Sequence, residues 1–233
     1  MSAILQGQAI RKVYRGGDGT PLEVLSAVDL EVARGEMVAI VGASGAGKTT
    51  LLHLLGALDR PTGGEIWLHG VSYAGLSDAE RDRLRNRDIG FVFQFHHLLR
   101  EFTALENVMM PLLIAGLAAG EARRRAAEVL AQVGLAERAS HQPGALSGGE
   151  QQRCAVARAI VHDPGVVLAD EPSGNLDHGH SAQLHDLLAG LARGLETALV
   201  VATHNRDLAE RADRILLLEN GVLRPATAAE AMS

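Results

Sequence analysis

Residues 37–58 join an uninterrupted apolar run to a leucine-rich helical pattern through a glycine-rich turn, and few folds accommodate that junction. Met37–Val41 carries no polar side chain, the mark of a strand buried on both faces of a parallel sheet. Leu51, Leu52, Leu54 and Leu55 then recur at helical spacing across 49–58. Between them Gly42, Ala43, Ser44, Gly45, Ala46, Gly47, Lys48 and Thr49 satisfy the pattern G-x-x-x-x-G-K-[ST] in full, and Thr50 follows. Glycines let successive backbone N–H groups turn inward around an anion. The helix that follows adds its unpaired amides and the positive end of its dipole. Lys48 supplies a point charge for the outer phosphates, and the Thr49 hydroxyl a ligand for Mg²⁺. A ligand-free turn gives no folding reason for Lys-Thr in the first helical turn. The stretch 42–50 is therefore assigned to ATP.

Composition sharpens the point at Lys48. Of the 22 basic residues only Lys12 and Lys48 are lysines, so the other positions use arginine. A lysine kept at 48 suggests a place for a compact ammonium rather than a planar fork. The formal net charge of -6 argues against a nucleic-acid partner, which calls for a basic surface. The longest weakly polar run, 108–119, is interrupted by Pro111 and Gly116 and is too short to cross a bilayer. Residues 1–14 lack the apolar core of a secretion signal. The single cysteine, Cys154, fits a reducing compartment and reads as a small buried apolar residue.

Along the chain, 9–14, 21–25 and 28–32 read as strands around a turn at Gly16, Gly17 and Gly19; 66–68 and 89–93 read as further strands. From about 95 to 162 the pattern becomes helical. Thr103 is placed to cap Ala104–Ile114 with Glu106 as its capping-box partner, and 121–133 and 149–162 are further helices. Val166, Val167, Leu168 and Ala169 form a second buried strand. A helix at 181–192, a strand at Ala198–Ala202 and a hairpin across Asn220-Gly221 follow, and the small polar tail after Arg224 is expected to be disordered. Strands alternating with helices predict an α/β fold with a mainly parallel sheet, interrupted by a helical insert within a single domain, 1–233.

The strand at 166–169 ends in Asp170 and Glu171. Beside a phosphate loop, Asp170 is placed to hold the Mg²⁺ shell and Glu171 to polarise the attacking water as general base.

The stretch Leu146, Ser147, Gly148, Gly149, Glu150, Gln151, Gln152, Arg153 resembles the signature motif of ABC-type ATPases, and other motifs of that family follow in order over about residues 3–224. The resemblance implies a P-loop fold of ABC type, with an N-terminal antiparallel β subdomain and an inserted helical subdomain at about 95–162. It implies that Tyr14 stacks on adenine, that Gln94 is the glutamine used at the metal and in catalysis, and that His204 is the switch histidine. Ser173, Gly174, Asn175, Leu176 and Asp177 resemble the D-loop. Ser147, Gly148, Gly149 and Glu150 at a helix N-terminus suit a second anion site. In the family that site takes the γ-phosphate of ATP held by a second copy, so two chains meet head to tail. Asn205 stands where Asp is usual, and either residue caps a helix.

The segments 51–62 and 93–108 resemble those of the ATPases of lipoprotein-releasing, LolCDE-type complexes. That implies separate LolC/LolE-like permease subunits and a place on the cytoplasmic face of the bacterial inner membrane. ATPases of MacB-like macrolide exporters and of the FtsE–FtsX pair share most of these motifs. A soluble nucleic-acid-associated ABC protein is the rival of another class. His96-His97 is read as partner contact or exposure, and His178, His180 and His185 as surface residues. Arg81, Arg83, Arg85 and Arg87 form no single stripe, and 123–125 reads as a solvated helix face.

Overall fold

The computed structural model describes residues 3–17, 19–227 and 229–230. Two sheets and seven α-helices carry the chain among these residues. Strands β1 (Ala3–Arg15) and β2 (Pro21–Ala33) are antiparallel, and each runs through what the sequence pattern divides or leaves out. Register shifts at three points of their later pairing explain the broken pattern: a bulge changes which face a side chain meets. β3 (Met37–Val41) is buried at every residue and leads into α1 (Lys48–Leu55). β4 (Gly63–Leu68) and the short β5 (Val71–Ser72) complete an antiparallel sheet in the order β2-β1-β4-β5.

Helix α2 (Asp78–Asp88) is absent from the apolar pattern because it has almost no apolar residues. Ser77 and Glu80 cap it reciprocally, and its buried position is Arg81, whose guanidinium donates to the Asp59 carbonyl. β6 (Ile89–Val92) precedes the helical stretch α3 (Ala104–Ile114), α4 (Ala119–Gln132) and α5 (Gly148–Ile160). The expected Thr103–Glu106 capping box on α3 is present. Then come β7 (Val166–Asp170), α6 (His178–Leu195), β8 (Ala198–Ala202) and the short α7 (Arg206–Ala209). The hairpin of β9 (Arg214–Glu219) and β10 (Val222–Pro225) turns at Asn220 and Gly221, both at positive φ as that turn requires. Part of the tail expected to be disordered, residues 228 and 231–233, lies outside the described residues; before it, Pro225 pairs with Leu216 and the Ala226 amide donates to the Ile215 carbonyl.

The second sheet has the order β10-β9-β3-β8-β7-β6 and is parallel except for its terminal hairpin. Alternate strand residues point to opposite faces. Val38, Ile40, Leu168 and Val200 pack with α1 and the antiparallel sheet, whereas Met37, Val167, Leu199 and Val201 pack with the helical side. Burial on both faces is what selects the continuous apolar runs of β3, β7 and β8. Their carboxyl ends, at Val41, Asp170 and Ala202, lie on one edge of the sheet, because all three run in one direction.

Candidate active site

The phosphate loop leaves β3 at Gly42 and enters α1 at Gly47. Gly42 has φ 149° and a Cβ there would meet the Leu218 carbonyl oxygen at 2.4 Å. Gly47 has φ 102° and a Cβ would meet Val24 at 2.8 Å. Both positions require glycine, and the loop between them, Ala43, Ser44 and Gly45, is exposed. The Lys48 ammonium reaches back across the turn, donating to the Gly42 and Ala43 carbonyls at 2.7 and 3.1 Å. It is thus held against the loop by two of the loop's own carbonyls. Thr49, at the start of α1, faces Asp170 at the end of β7. Burial raises the Asp170 carboxyl above the ordinary range, the Thr49 hydroxyl opposes that shift, and the neighbouring charge of Glu171 adds to it.

Glu171 sits at φ 45°, a left-handed conformation costly for a side-chain-bearing residue and held by its surroundings. Its amide donates to the Ala202 carbonyl on β8, and its own carbonyl accepts from Gly174. Both carboxylate oxygens are engaged by the end of β8. Thr203 Oγ1 donates to Oε2 at 3.2 Å, and the His204 ring Nδ1 lies 2.7 Å from Oε1. Thr203, fully buried, also accepts from the Asn205 amide. Asn205 caps α7 through Leu208, as its residue type predicts. The structure therefore brings Lys48, Thr49, Asp170, Glu171 and His204 to the edge made by β3, β7 and β8.

Gln94 follows β6, and its hydrogen bonds run to Asn175 rather than to Asp170. Its Nε2 donates to Asn175 Oδ1 at 3.3 Å, and Asn175 Nδ2 donates to the Gln94 carbonyl at 3.1 Å. Asp177 caps α6 through the His180 amide and pairs with the His180 ring. Tyr14 is 37% exposed near the end of β1, with its hydroxyl on Asp59 at 2.9 Å.

Ser147 caps α5, accepting from the Glu150 amide while Glu150 accepts from the Ser147 amide at 2.8 Å. Arg138 donates to the other Glu150 oxygen at 2.8 Å, and together with the capping bond it holds the carboxyl down at about 2. Gly148 is exposed and Gly149 closely covered by the His180 ring, which a Cβ would meet at 2.7 Å. Gln151 donates to the Pro143 and Leu146 carbonyls, fixing the turn that leads into the cap. The amides of this helix start are thus rigidly presented, whereas the Glu150 carboxylate is consumed within the chain.

Several side chains differ from the reading of the sequence. His185 is buried, 1% exposed, and bonds Ser173 Oγ through Nε2 at 2.8 Å; it is not a surface residue. It lies on the inward face of α6 with Ser181, Leu184, Leu188 and Ala192, all within the helix expected at 181–192. Arg125 is not free in solvent: it donates to the Val161 carbonyl at the end of α5 and pairs with Asp163. Thr203 and Arg138 carry no motif signal of their own, and only the fold places them against Glu171 and Glu150; Asn175 belongs to the D-loop segment, but its contact with Gln94 is likewise a product of the fold. Cys154 is fully buried as expected, and burial pushes its thiol up to about 12.

Residues 25–174 match the ABC transporter family. The lipoprotein-releasing system ATP-binding protein LolD of Legionella pneumophila is 53% identical over 220 residues, spanning 94% of this chain and 96% of its own. The LolD protein of Xanthomonas campestris is 55% identical over 224 residues, spanning 96% and 93%. A solved dimeric ATP-binding cassette in a post-hydrolysis state with ADP and Pi superposes with a TM-score of 0.87 at 37% identity, covering 96% of this chain and 98% of that one. Motif order, sheet topology and full-length likeness agree, and the chain belongs to the ABC transporter family as an ATP-binding cassette that hydrolyses ATP.

Proposed function

We propose that this chain is the ATPase subunit of a complex that releases lipoproteins from the bacterial inner membrane towards a periplasmic carrier. The observation that carries the reading is identity of 53–55% over nearly the whole length to proteins named for that system. Among the described residues no helix is long and apolar enough to cross a membrane, so the reading assigns the span to separate LolC/LolE-like permeases. Phe95, Leu99 and Phe102, exposed in the segment after Gln94, supply an apolar surface for that contact.

In this reading Gly42–Lys48 amides and the Lys48 ammonium hold the β- and γ-phosphates. Tyr14 stacks on the base. The Thr49 hydroxyl and the Asp170 carboxylate, neighbouring hard oxygen donors, fit Mg²⁺, which takes one or two carboxylates and otherwise water and phosphate oxygens. Gln94 joins that shell once its bond to Asn175 yields. When bound, the ion neutralises charge developing between the phosphates. Glu171 accepts the proton of the attacking water, and His204 orients the Glu171 carboxylate and the γ-phosphate. Ser147 and the amides of Gly148 and Gly149 meet the ATP of a second copy, with Asp177 at the contact between the copies; the capped Glu150 keeps that helix start in place.

The test is reconstitution. Co-expressed with LolC/LolE-like permeases in proteoliposomes, the chain should release a lipid-anchored protein to a soluble carrier only with ATP and Mg²⁺. Stable assembly instead with a single MacB-like or FtsX-like permease, without such release, would overturn the assignment of cargo while leaving the ATPase in place.

A further inference from the structure

Tyr14 rests on a charged base. The Lys12 residue is 8% exposed, and an ammonium has three N–H directions to satisfy. Its nitrogen lies 2.7 Å from Asp59 Oδ2, donates to the Arg60 carbonyl at 2.8 Å, and stands 4.7 Å from the centroid of the Tyr14 ring. The Tyr14 hydroxyl donates to the same Asp59 oxygen at 2.9 Å. One carboxylate therefore holds both the cation and the phenol. The ring is fixed on its face by Lys12 and at its tip by Asp59. Asp59 and Arg60 lie in the turn after α1, and Thr50 of that helix is beside the Tyr14 hydroxyl. The ring is thereby referenced to the helix that starts at Lys48.

We infer that Lys12 and Asp59 are positioning residues for nucleobase recognition. They lock the Tyr14 ring in its stacking orientation, and the cation beneath one face strengthens the ring's grip on a base at the other. The inference rests on the reading of Tyr14 as the stacking residue. Desolvation gives the cation–π contact its strength, and Lys12 is nearly buried. The choice of lysine is also explained. Arginine serves at 20 of the 22 basic positions, whereas here a compact ammonium with three rotatable donors suits a carboxylate, a carbonyl and a ring face within one small pocket better than a wide planar fork.

The experiment compares calorimetric affinities for ATP and for inorganic tripolyphosphate, which lacks the base, in the wild type and in Tyr14→Leu, Lys12→Met, Lys12→Arg and Asp59→Asn. Tyr14→Leu and Lys12→Met should each weaken ATP by roughly three- to tenfold and leave tripolyphosphate unchanged. Lys12→Arg should not restore ATP binding, and Asp59→Asn should fall between. An unchanged ATP-to-tripolyphosphate ratio in Lys12→Met, with the ratio reduced in Tyr14→Leu, overturns the inference but leaves stacking intact. An unchanged ratio in Tyr14→Leu overturns stacking itself and the inference with it. Parallel loss of both ligands in Lys12→Met also overturns it, assigning Lys12 to folding alone.

Discussion

The His204 ring nitrogen Nδ1 lies 2.7 Å from Glu171 Oε1, while Thr203 Oγ1 donates to the other oxygen of the same carboxylate. The pair joins the ends of β7 and β8 across the sheet edge. The Glu171 side chain is 18% exposed and that of His204 73%, so the acid is held and the imidazole stands in the open. A carboxylate with both oxygens directed, at the end of a buried strand, has the geometry of an oriented base.

Glu171→Gln should therefore keep ATP binding and lose turnover by roughly 10²–10⁴, the usual weight of a general base. Gln retains acceptor and donor atoms for Thr203 and His204, so the loop should stay formed. An ATP-dependent dimer should accumulate on size-exclusion chromatography. Turnover at the wild-type rate would remove Glu171 from the role.

Lys48→Ala separates binding from folding. The ammonium's protein contacts are carbonyls of its own loop, Gly42 and Ala43. Losing it should raise the ATP dissociation constant roughly 10- to 100-fold, as expected for a charged hydrogen bond. The midpoint of thermal unfolding without nucleotide should move little. Unchanged ATP affinity in calorimetry would contradict the assignment.

The phosphate loop, the buried β3 and β7, the α3 cap and the last hairpin were legible because each follows from local chemistry. Gly47 has to turn at positive φ, Thr103 needs Glu106 three residues on, and Asn220-Gly221 has few other uses. What stayed hidden depends on partners far along the chain. Nothing near Arg138 announces Glu150, and Asn175 meets Gln94 across 81 positions. Helix α2 escaped because its buried residue is Arg81, satisfied by the Asp59 carbonyl, instead of an apolar stripe. Tyr14 was visible as an aromatic residue, but the Lys12–Asp59 base beneath it required β1 and the end of α1 to be side by side.

Glu150 makes the signature helix acid-sensitive. Its carboxyl is held at about 2, against an ordinary 4.5, by Arg138 and the Ser147 cap. The folded state therefore binds this proton less readily than the unfolded one. The stabilisation is complete above about 4.5 and is lost as pH falls towards about 2. Glu150→Gln preserves the capping box but removes the titration, so its melting temperature should fall less steeply between those pH values. Equal slopes would show that the Arg138–Glu150 pair does not persist in solution.

His185 gives the last prediction, because a buried imidazole has to be accounted for. Its Nε2 bonds Ser173 in the segment between Glu171 and Asp177, and its Nδ1 has no protein partner. Burial, reinforced by the Arg211 charge, lowers its pKa from the ordinary 6.5. The neutral ring is the folded form, so stability is full above about 6.5 and declines as pH falls through the lowered value. His185→Phe keeps a ring on α6 but leaves the Ser173 hydroxyl unpaired, at a cost of about 1–3 kcal/mol. Adding Ser173→Ala should recover part of that loss, since the two residues share one bond. The double variant should also lose less stability than the wild type when acidified from pH 7 to 5. Strict additivity of the two substitutions in urea unfolding would mean that the bond contributes nothing, and the segment after Glu171 would then be held by Asn175 and Gln94 without help from α6.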